Sequence, residues 1–415
     1  MGRAEPVMPE PASPSRWLSI VGVGEDGVEG LSATARGLIE AADIVFGGER
    51  HLHLAQALIK GEAKPWPSPF SRGIEAVLAL RGRQVCVLAS GDPFHYGVGS
   101  VLACRIPPEE TLVVPAPSAF SLAASRLGWA LPETVLLSVH GRALDRIRPV
   151  LHPDARVLAL TSDREGPSAL AQLLTESGFG QSKLTVLEAL GGVRERIRTA
   201  TAFAFDLDGV LDLNTVAIEV VASPDARIIA YTPGLADALF EHDGQITKRE
   251  IRAVTLSALA PLKGELLWDI GAGAGSVAIE WMLADPSLRA IAIEARADRA
   301  ARIRRNAAAF GVPGLELVEG RAPAALAGLP TPDAVFVGGG ASGSGVIDAA
   351  IAALRPGGRL VVNAVTLDTE QELVAHHTAR GGTLTRIEIA RAEAVGTKTG
   401  WRAAMPVTQW TWVKP

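Results

Sequence analysis

Trp268-Asp269-Ile270-Gly271-Ala272-Gly273-Ala274-Gly275-Ser276 is the stretch that decides the fold of the second half of this chain. The residues leading into it, Glu265 to Ile270, form an apolar run that reads as a buried strand, and Ser276 to Ala284 reads as a helix. Glycines at 271, 273 and 275 let the backbone turn tightly between the two and approach a ligand with no side chain in the way. The helix start behind them offers unpaired N–H groups and the positive end of its dipole. Glu294 lies about 20 residues further on, at the end of the next predicted strand, where a carboxylate can accept hydrogen bonds from a ribose diol. These features fit either a dinucleotide or an adenosyl sulfonium cofactor. Asp269, two residues before the first glycine, tips the choice: its carboxylate suits a cationic, amine-bearing cofactor and would repel a pyrophosphate.

Outward from this loop the chain alternates strand and helix. Lys248–Leu259 and Arg296–Phe310 read as helices, and Arg289–Ile293, Leu315–Glu319, Ala334–Val337, Arg359–Asn363, Thr383–Ala390 and Thr408–Val413 as strands. A tight turn, Leu354-Arg355-Pro356-Gly357-Gly358-Arg359-Leu360, feeds a late strand. The first half alternates too, on a different pattern. Leu18–Val23, Asp43–Gly47, Gln84–Ala89, Thr111–Pro115, Arg156–Leu160, Lys183–Leu187 and Thr215–Val221 read as strands, with helices over Leu31–Ala42 and Ser118–Leu127. Its strand-end turns are Gly22-Val23-Gly24, Gly91-Asp92-Pro93 and Pro115-Ala116-Pro117-Ser118-Ala119. Turns at the ends of successive strands converge on one crevice in an open α/β sheet. The expected division is a disordered leader over 1–16, a first domain over 17–223, a linker over 224–240 that could lend Arg227–Tyr231 as a last strand, and a second domain over 241–415.

Composition bounds the rest. The 415 residues are 48% apolar and 20% charged, with 40 Lys and Arg against 45 Asp and Glu, for a net charge of -5. That balance argues against a nucleic-acid coat. The leader is rich in Pro, Ala and Ser without an apolar stretch, and no run of about 18 apolar residues exists, so neither a secretion signal nor a membrane span is expected. Two cysteines, Cys86 and Cys104, read as reduced core residues of a cytoplasmic protein.

The glycine loop, Glu294, the strand near Asp333 and the Pro-Gly-Gly turn together resemble the class I S-adenosylmethionine methyltransferases. The first half resembles the class III tetrapyrrole methyltransferases, which bind S-adenosylmethionine between two small α/β lobes. The likeness rests on its early Gly-x-Gly, its Gly-Asp-Pro loop, its Pro-x-x-Ser helix start and Ser138-Val139-His140-Gly141-Arg142. From about Trp17 to Trp412 the chain resembles the fused methyltransferases of cobalamin biosynthesis. Glu241-His242-Asp243-Gly244-Gln245-Ile246-Thr247-Lys248-Arg249-Glu250 carries that likeness most specifically, with Val337-Gly338-Gly339-Gly340-Ala341-Ser342-Gly343 after strand four. Ala274 departs from the serine common in the family's cofactor loop.

The resemblance implies an α/β chain with a two-lobed class III fold followed by a Rossmann-like class I fold, each holding one S-adenosylmethionine. It implies methylation of C5 of a precorrin macrocycle by the first domain, and methylation of C15 with decarboxylation of the ring C acetate by the second. Gly22, Gly24, Gly91, Asp92, Pro93, Ser118 and Ala119 are then expected to hold the first cofactor, and Asp269, Gly271, Gly273, Gly275, Ser276 and Glu294 the second. Arg142, Lys248, Arg249 and Arg252, with Gly339 and Gly340, are expected at the carboxylate-rich substrate. His242 and Asp243 are candidates for the acid of decarboxylation. The arginines of 296–305 read as a solvated face or a subunit contact. The expected partners are the tetrapyrrole and further copies of the chain through its second domain, with no nucleic acid and no membrane. Asp206-Leu207-Asp208-Gly209-Val210 imitates a phosphatase nucleophile motif, but two complete domains already account for its flanks. No histidine cluster suggests a metal.

Overall fold

Apolar strands set between amphipathic helices drive a chain into layered α/β units. The computed structural model, which describes residues 16–415, has two of them. One contains the described residues up to Arg142 together with Pro153–Ser223, and the other contains Ala143–His152 with Pro224–Pro415. The expected leader lies outside the described residues, apart from Arg16.

The first lobe of the first unit is a parallel sheet of β1 (Leu18–Val23), β2 (Ile44–Gly47), β3 (Glu62–Pro65), β4 (Val85–Ser90) and β5 (Thr111–Val114), in the order β3-β2-β4-β1-β5. β1 is buried along its whole length, as a strand covered on both faces must be. Ile20, Phe46 and Val87 pack with Ile74 and Val77 on one side. Val21, Val45 and Leu88 pack with Ala35 and Ile39 on the other. The second lobe is a mixed sheet of β6 (Val135–Ser138), β7 (Arg156–Leu160), β8 (Lys183–Glu188), β9 (Arg196–Thr201) and β10 (Asn214–Glu219), in the order β6-β7-β10-β8-β9.

The second unit holds β11 (Leu266–Ile270), β12 (Arg289–Glu294), β13 (Glu316–Glu319), β14 (Ala334–Val337), β15 (Arg359–Ala364), β16 (Thr383–Ile387), a hairpin of β17 (Ala390–Val395) and β18 (Lys398–Ala403), and β19 (Val407–Val413). Its sheet runs β13-β12-β11-β14-β15-β19-β16, with β19 antiparallel to both neighbours. The order reverses at β11, flanked by β12 and β14. That switch point opens a crevice at the carboxyl ends of the strands, where the glycine loop sits. The helix Ser276–Ala284 behind the loop is buried over Ser276–Trp281. Trp281 packs with Leu267, Leu288 and Phe336.

The differences from the sequence reading have physical causes. β3, β6 and β9 were not expected; each is an edge strand without the fully buried run of a central one. The expected strand Thr383–Ala390 ends at Ile387, and Ala390 opens the exposed hairpin. Arg227–Tyr231 forms no strand. The segment 224–240, expected as a linker, buries Ile229, Leu235 and Phe240 against Ile279, Ala307 and Phe310 of the second unit. Cys86 is a core residue as expected, its thiol pushed up to about 12 by burial, but Cys104 is exposed. No helix among the described residues is long and apolar enough to cross a membrane.

Candidate functional site

In the second unit, Gly271, Gly273 and Gly275 all take left-handed φ values, of 71°, 60° and 74°, which only glycine adopts without strain. A Cβ at Gly271 would strike the carbonyl of Gly339 and come within 2.8 Å of its Cα, so the glycine-rich loop after β14 lies directly against the loop after β11. Glu294 is buried, and its two oxygens accept from Gly273 N at 2.9 Å and Arg296 N at 2.9 Å. Asp269 is buried at the end of β11. Its Oδ2 accepts from Ala278 N at 3.1 Å, while its Oδ1 is buried with no partner. Burial, with a smaller push from the Glu294 charge, raises this carboxyl to about 7. An orphaned buried acceptor calls for a donor or a cation. The ammonium and sulfonium of S-adenosylmethionine supply positive charge, so the residues present fit that cofactor.

The lead-in 241–248 is tied down over this crevice. Asn306 does it from the helix Ala297–Ala309: Nδ2 donates to Glu241 O at 3.0 Å and Ala274 O at 2.9 Å, and Oδ1 accepts from Glu241 N at 2.9 Å. Arg299 donates to Asp243 at 2.9 Å, and Arg302 lies 3.5 Å from the same carboxylate. Arg305 pairs with Glu241 at 2.8 Å. One side of the arginine helix clamps the lead-in through Arg299, Arg302 and Arg305, a role that the reading as a solvated face or a subunit contact did not include. Asn306, which joins lead-in to glycine loop, was missed. A lone amide in an Ala-Arg helix was its only signal.

Two expected roles are corrected. Arg252 cannot meet a substrate: it is fully buried, donating to Glu280 at 2.6 Å, to Asp237 at 3.1 Å and to the carbonyls of Leu235 and Thr247. Asp243 cannot be the acid, because the hydrogen bond from Arg299 and the nearby Arg302 hold its carboxyl well below the usual range. His242 Nδ1 accepts from Gly244 N at 3.1 Å, which leaves the ring proton on Nε2. Lys248 is half exposed, 4.0 Å from Asp237, and Arg249 is exposed with no ion pair among the described residues. The Pro356-Gly357-Gly358 turn precedes β15 and so sits at the amino ends of the parallel strands, away from the cofactor loop at their carboxyl ends. Asp333 serves that end as well, accepting from Leu266 N at 2.7 Å.

In the first unit three strand-end turns meet. A Cβ at Gly22 would collide with the Gly91 carbonyl and lie 2.6 Å from Ala116 N. A Cβ at Gly91 would lie 2.7 Å from Pro117 O. Ala116 N donates to Gly91 O at 3.1 Å, and Ser118 Oγ caps the next helix by accepting from Ser121 N at 3.1 Å. Asp92 Oδ1 accepts from Phe94 N at 2.8 Å, fixing the turn. Gly24, Pro93 and Ala119 belong to the same three turns. Beside them lies a cluster the sequence did not disclose. Arg50 pairs with Glu25 and donates to Ser90 Oγ at 2.8 Å, and His51 Nε2 is 2.7 Å from the same hydroxyl. Burial and the Arg50 charge push His51 down to about 4. Arg142 is exposed, its guanidinium 5.5 Å from the centre of the Tyr96 ring. The phosphatase-like Asp206–Val210 begins no strand: the Asp208 carbonyl accepts from Arg198 at 2.8 Å and that of Gly209 from Arg196 at 2.6 Å.

Comparison with known proteins agrees with this division. Residues 18–206 match the family of tetrapyrrole (corrin/porphyrin) methylases, and residues 238–414 match a precorrin methyltransferase domain. The chain is 63% identical over 405 residues to a protein of Sinorhizobium sp. named precorrin-6Y C(5,15)-methyltransferase (decarboxylating), covering 98% of each. A cobalt-precorrin-7 C(5)-methyltransferase of Salmonella typhimurium is 30% identical, covering 48% of this chain and 98% of that protein. A probable cobalt-precorrin-6B C(15)-methyltransferase (decarboxylating) of Saccharolobus solfataricus is 37% identical, covering 40% of this chain and 88% of that protein. By the end-to-end match, with both halves in place, the chain belongs to the decarboxylating precorrin-6Y C(5,15)-methyltransferase family.

Proposed function

We propose that the chain methylates precorrin-6B at C5 and C15 and removes the ring C acetate carboxyl, giving precorrin-8X, with C5 assigned to the first unit and C15 and decarboxylation to the second. The observation that carries this reading is the end-to-end likeness to a two-activity relative, alongside half-length relatives named for each single activity. Bound S-adenosylmethionine supplies an electrophilic methyl group. The nucleophile would be an electron-rich meso carbon of the macrocycle, which gains the methyl as the methyl–sulfur bond breaks to leave a neutral thioether, and releases its proton to water, so no side chain need attack. The chain's own residues bind, orient and exclude water.

In the second unit Asp269 and Glu294 would hold the cofactor's charged and ribose ends, with the backbone of Gly271, Gly273, Gly275 and Ser276 beneath. In the first unit the turns of Gly22, Gly24, Gly91, Asp92, Pro93, Ser118 and Ala119 would do so. Lys248 and Arg249, with the Gly339-Gly340 loop beside the crevice, would receive carboxylate arms. Decarboxylation breaks a carbon–carbon bond, and its electron pair must enter a protonated macrocycle. Of the two residues first considered, His242 has no ion pair among the described residues, and we assign the proton to its imidazolium form, in which Nδ1 is protonated as well and gives up the bond from Gly244 N, so that donation returns a neutral ring.

We further place the protein in the cytoplasm as a homo-oligomer, with neither membrane nor nucleic acid as partner. The hairpin supports self-association: Trp401 and Val395 are 80% and 65% exposed there, and Met405 just beyond is 71% exposed. The direct test is the mass of the product from precorrin-6B and excess S-adenosylmethionine. Two added methyl groups with loss of one carbon dioxide support the reading; two methyl groups without that loss contradict the decarboxylase.

A further inference from the structure

A stack of rings leads out of the first unit's core beside the cofactor turns. Phe120, buried in the first turn of the helix capped by Ser118, lies 4.6 Å from the His95 ring centre. His95 lies 5.4 Å from Tyr96 at an interplanar angle of 22°. Arg142 covers Tyr96 at 5.5 Å. The stack thus adjoins two of the three cofactor turns, since His95 and Tyr96 follow Gly91-Asp92-Pro93 after Phe94, and Phe120 directly follows Ser118-Ala119.

Tyr96 stands out in three ways. Its φ is 60°, a left-handed conformation that bulky residues rarely take and that gathers at functional sites. It is 47% exposed although aromatic. Its hydroxyl donates to Leu136 O of β6 at 3.3 Å, so the ring is tethered to the second lobe. Arg142 has no carboxylate partner among the described residues, so its charge remains available.

We propose that Tyr96 and Arg142 form the macrocycle platform of the first unit. The exposed part of the Tyr96 ring that Arg142 leaves open packs against a flat pyrrole-derived ring, and Arg142, pre-oriented over Tyr96, takes a carboxylate arm. His95 and Phe120 hold Tyr96 from behind. This rests on the proposed C5 methylation of a precorrin and adds the residues that position it.

The test uses the full-length chain with precorrin-6B. Tyr96→Gly removes the ring and suits the left-handed backbone; Tyr96→Asn, which also tolerates that conformation, guards against a folding artefact. Arg142→Gln removes the charge, and Arg142→Lys restores it without the planar fork. Tyr96→Gly, Tyr96→Asn and Arg142→Gln should each raise KM for C5 methylation at least tenfold. The change in kcat and in S-adenosylmethionine affinity should stay within about twofold, and C15 methylation should be untouched. Arg142→Lys should recover part of the loss. An unchanged KM in both Tyr96 variants, or a parallel loss of S-adenosylmethionine affinity, overturns the platform. Failure of the unsubstituted protein to methylate precorrin-6B at C5 instead overturns the underlying functional reading, and the platform with it.

Discussion

Asp269 concentrates the chemistry of the second cofactor crevice in one buried carboxyl. Its ordinary value is 3.8, and burial raises it to about 7. Between those values the unfolded chain has released the proton and the folded chain keeps it. Stability of the ligand-free protein therefore falls as pH rises through that window. Asp269→Asn removes this titration. Urea denaturation without cofactor should find the variant more stable than the parent at pH 8, with the gap narrowing toward pH 5, while S-adenosylmethionine affinity of the second unit drops at least tenfold. At Gly22 the fault is steric: Gly22→Ala drives a methyl into the Gly91 carbonyl, costing about 1–3 kcal/mol of stability. C5 methylation should be lost and C15 methylation kept, read by product mass. The three glycines of 271–275 and Glu294 were legible because their spacing is dictated by the turn itself. The burial of Arg252 was not, since a single Arg in a helix reads the same whether it faces solvent or Glu280.

Elements fix what those residues can do. The helix Arg249–Leu259 is bound to the helix Ser276–Ala284 through Arg252 and Glu280, whose oxygens also accept from Gly234 N at 2.7 Å and Leu235 N at 3.0 Å. Arg252→Ala leaves that carboxylate buried and partly unpaired, and should destabilise the second unit by about 3–5 kcal/mol in chemical denaturation. The lead-in is held by charge at its surface-facing side. Asp243→Asn should loosen it and raise KM for the macrocycle, yet leave decarboxylation running, because Asp243 stays ionised and donates no proton. His242→Gln should stop carbon dioxide release while C15 methylation continues; loss of both would contradict the proton-donor role. Central strands such as β1 and β11 could be read directly, since burial on both faces leaves an unbroken apolar run. Edge strands such as β3 and the β17–β18 hairpin could not, because their exposed residues carry no such pattern.

At the scale of the whole chain, two unlike α/β units each bring strand-end turns to a crevice of their own, and in each a glycine lets two of those turns meet at backbone distance. The alternation of strands and helices, together with the turn motifs, made both units visible in the sequence. The packing of 224–240 onto the second unit was hidden, because its few apolar residues are spread among Pro, Gly and charges. The decisive measurement is a calorimetric titration of the full-length chain with S-adenosylmethionine. Two molecules should bind per chain, falling to one in Gly22→Ala and to one in Gly271→Ala. A single site in the unsubstituted protein, or two sites surviving either substitution, would contradict a separate methyl-donor crevice in each unit.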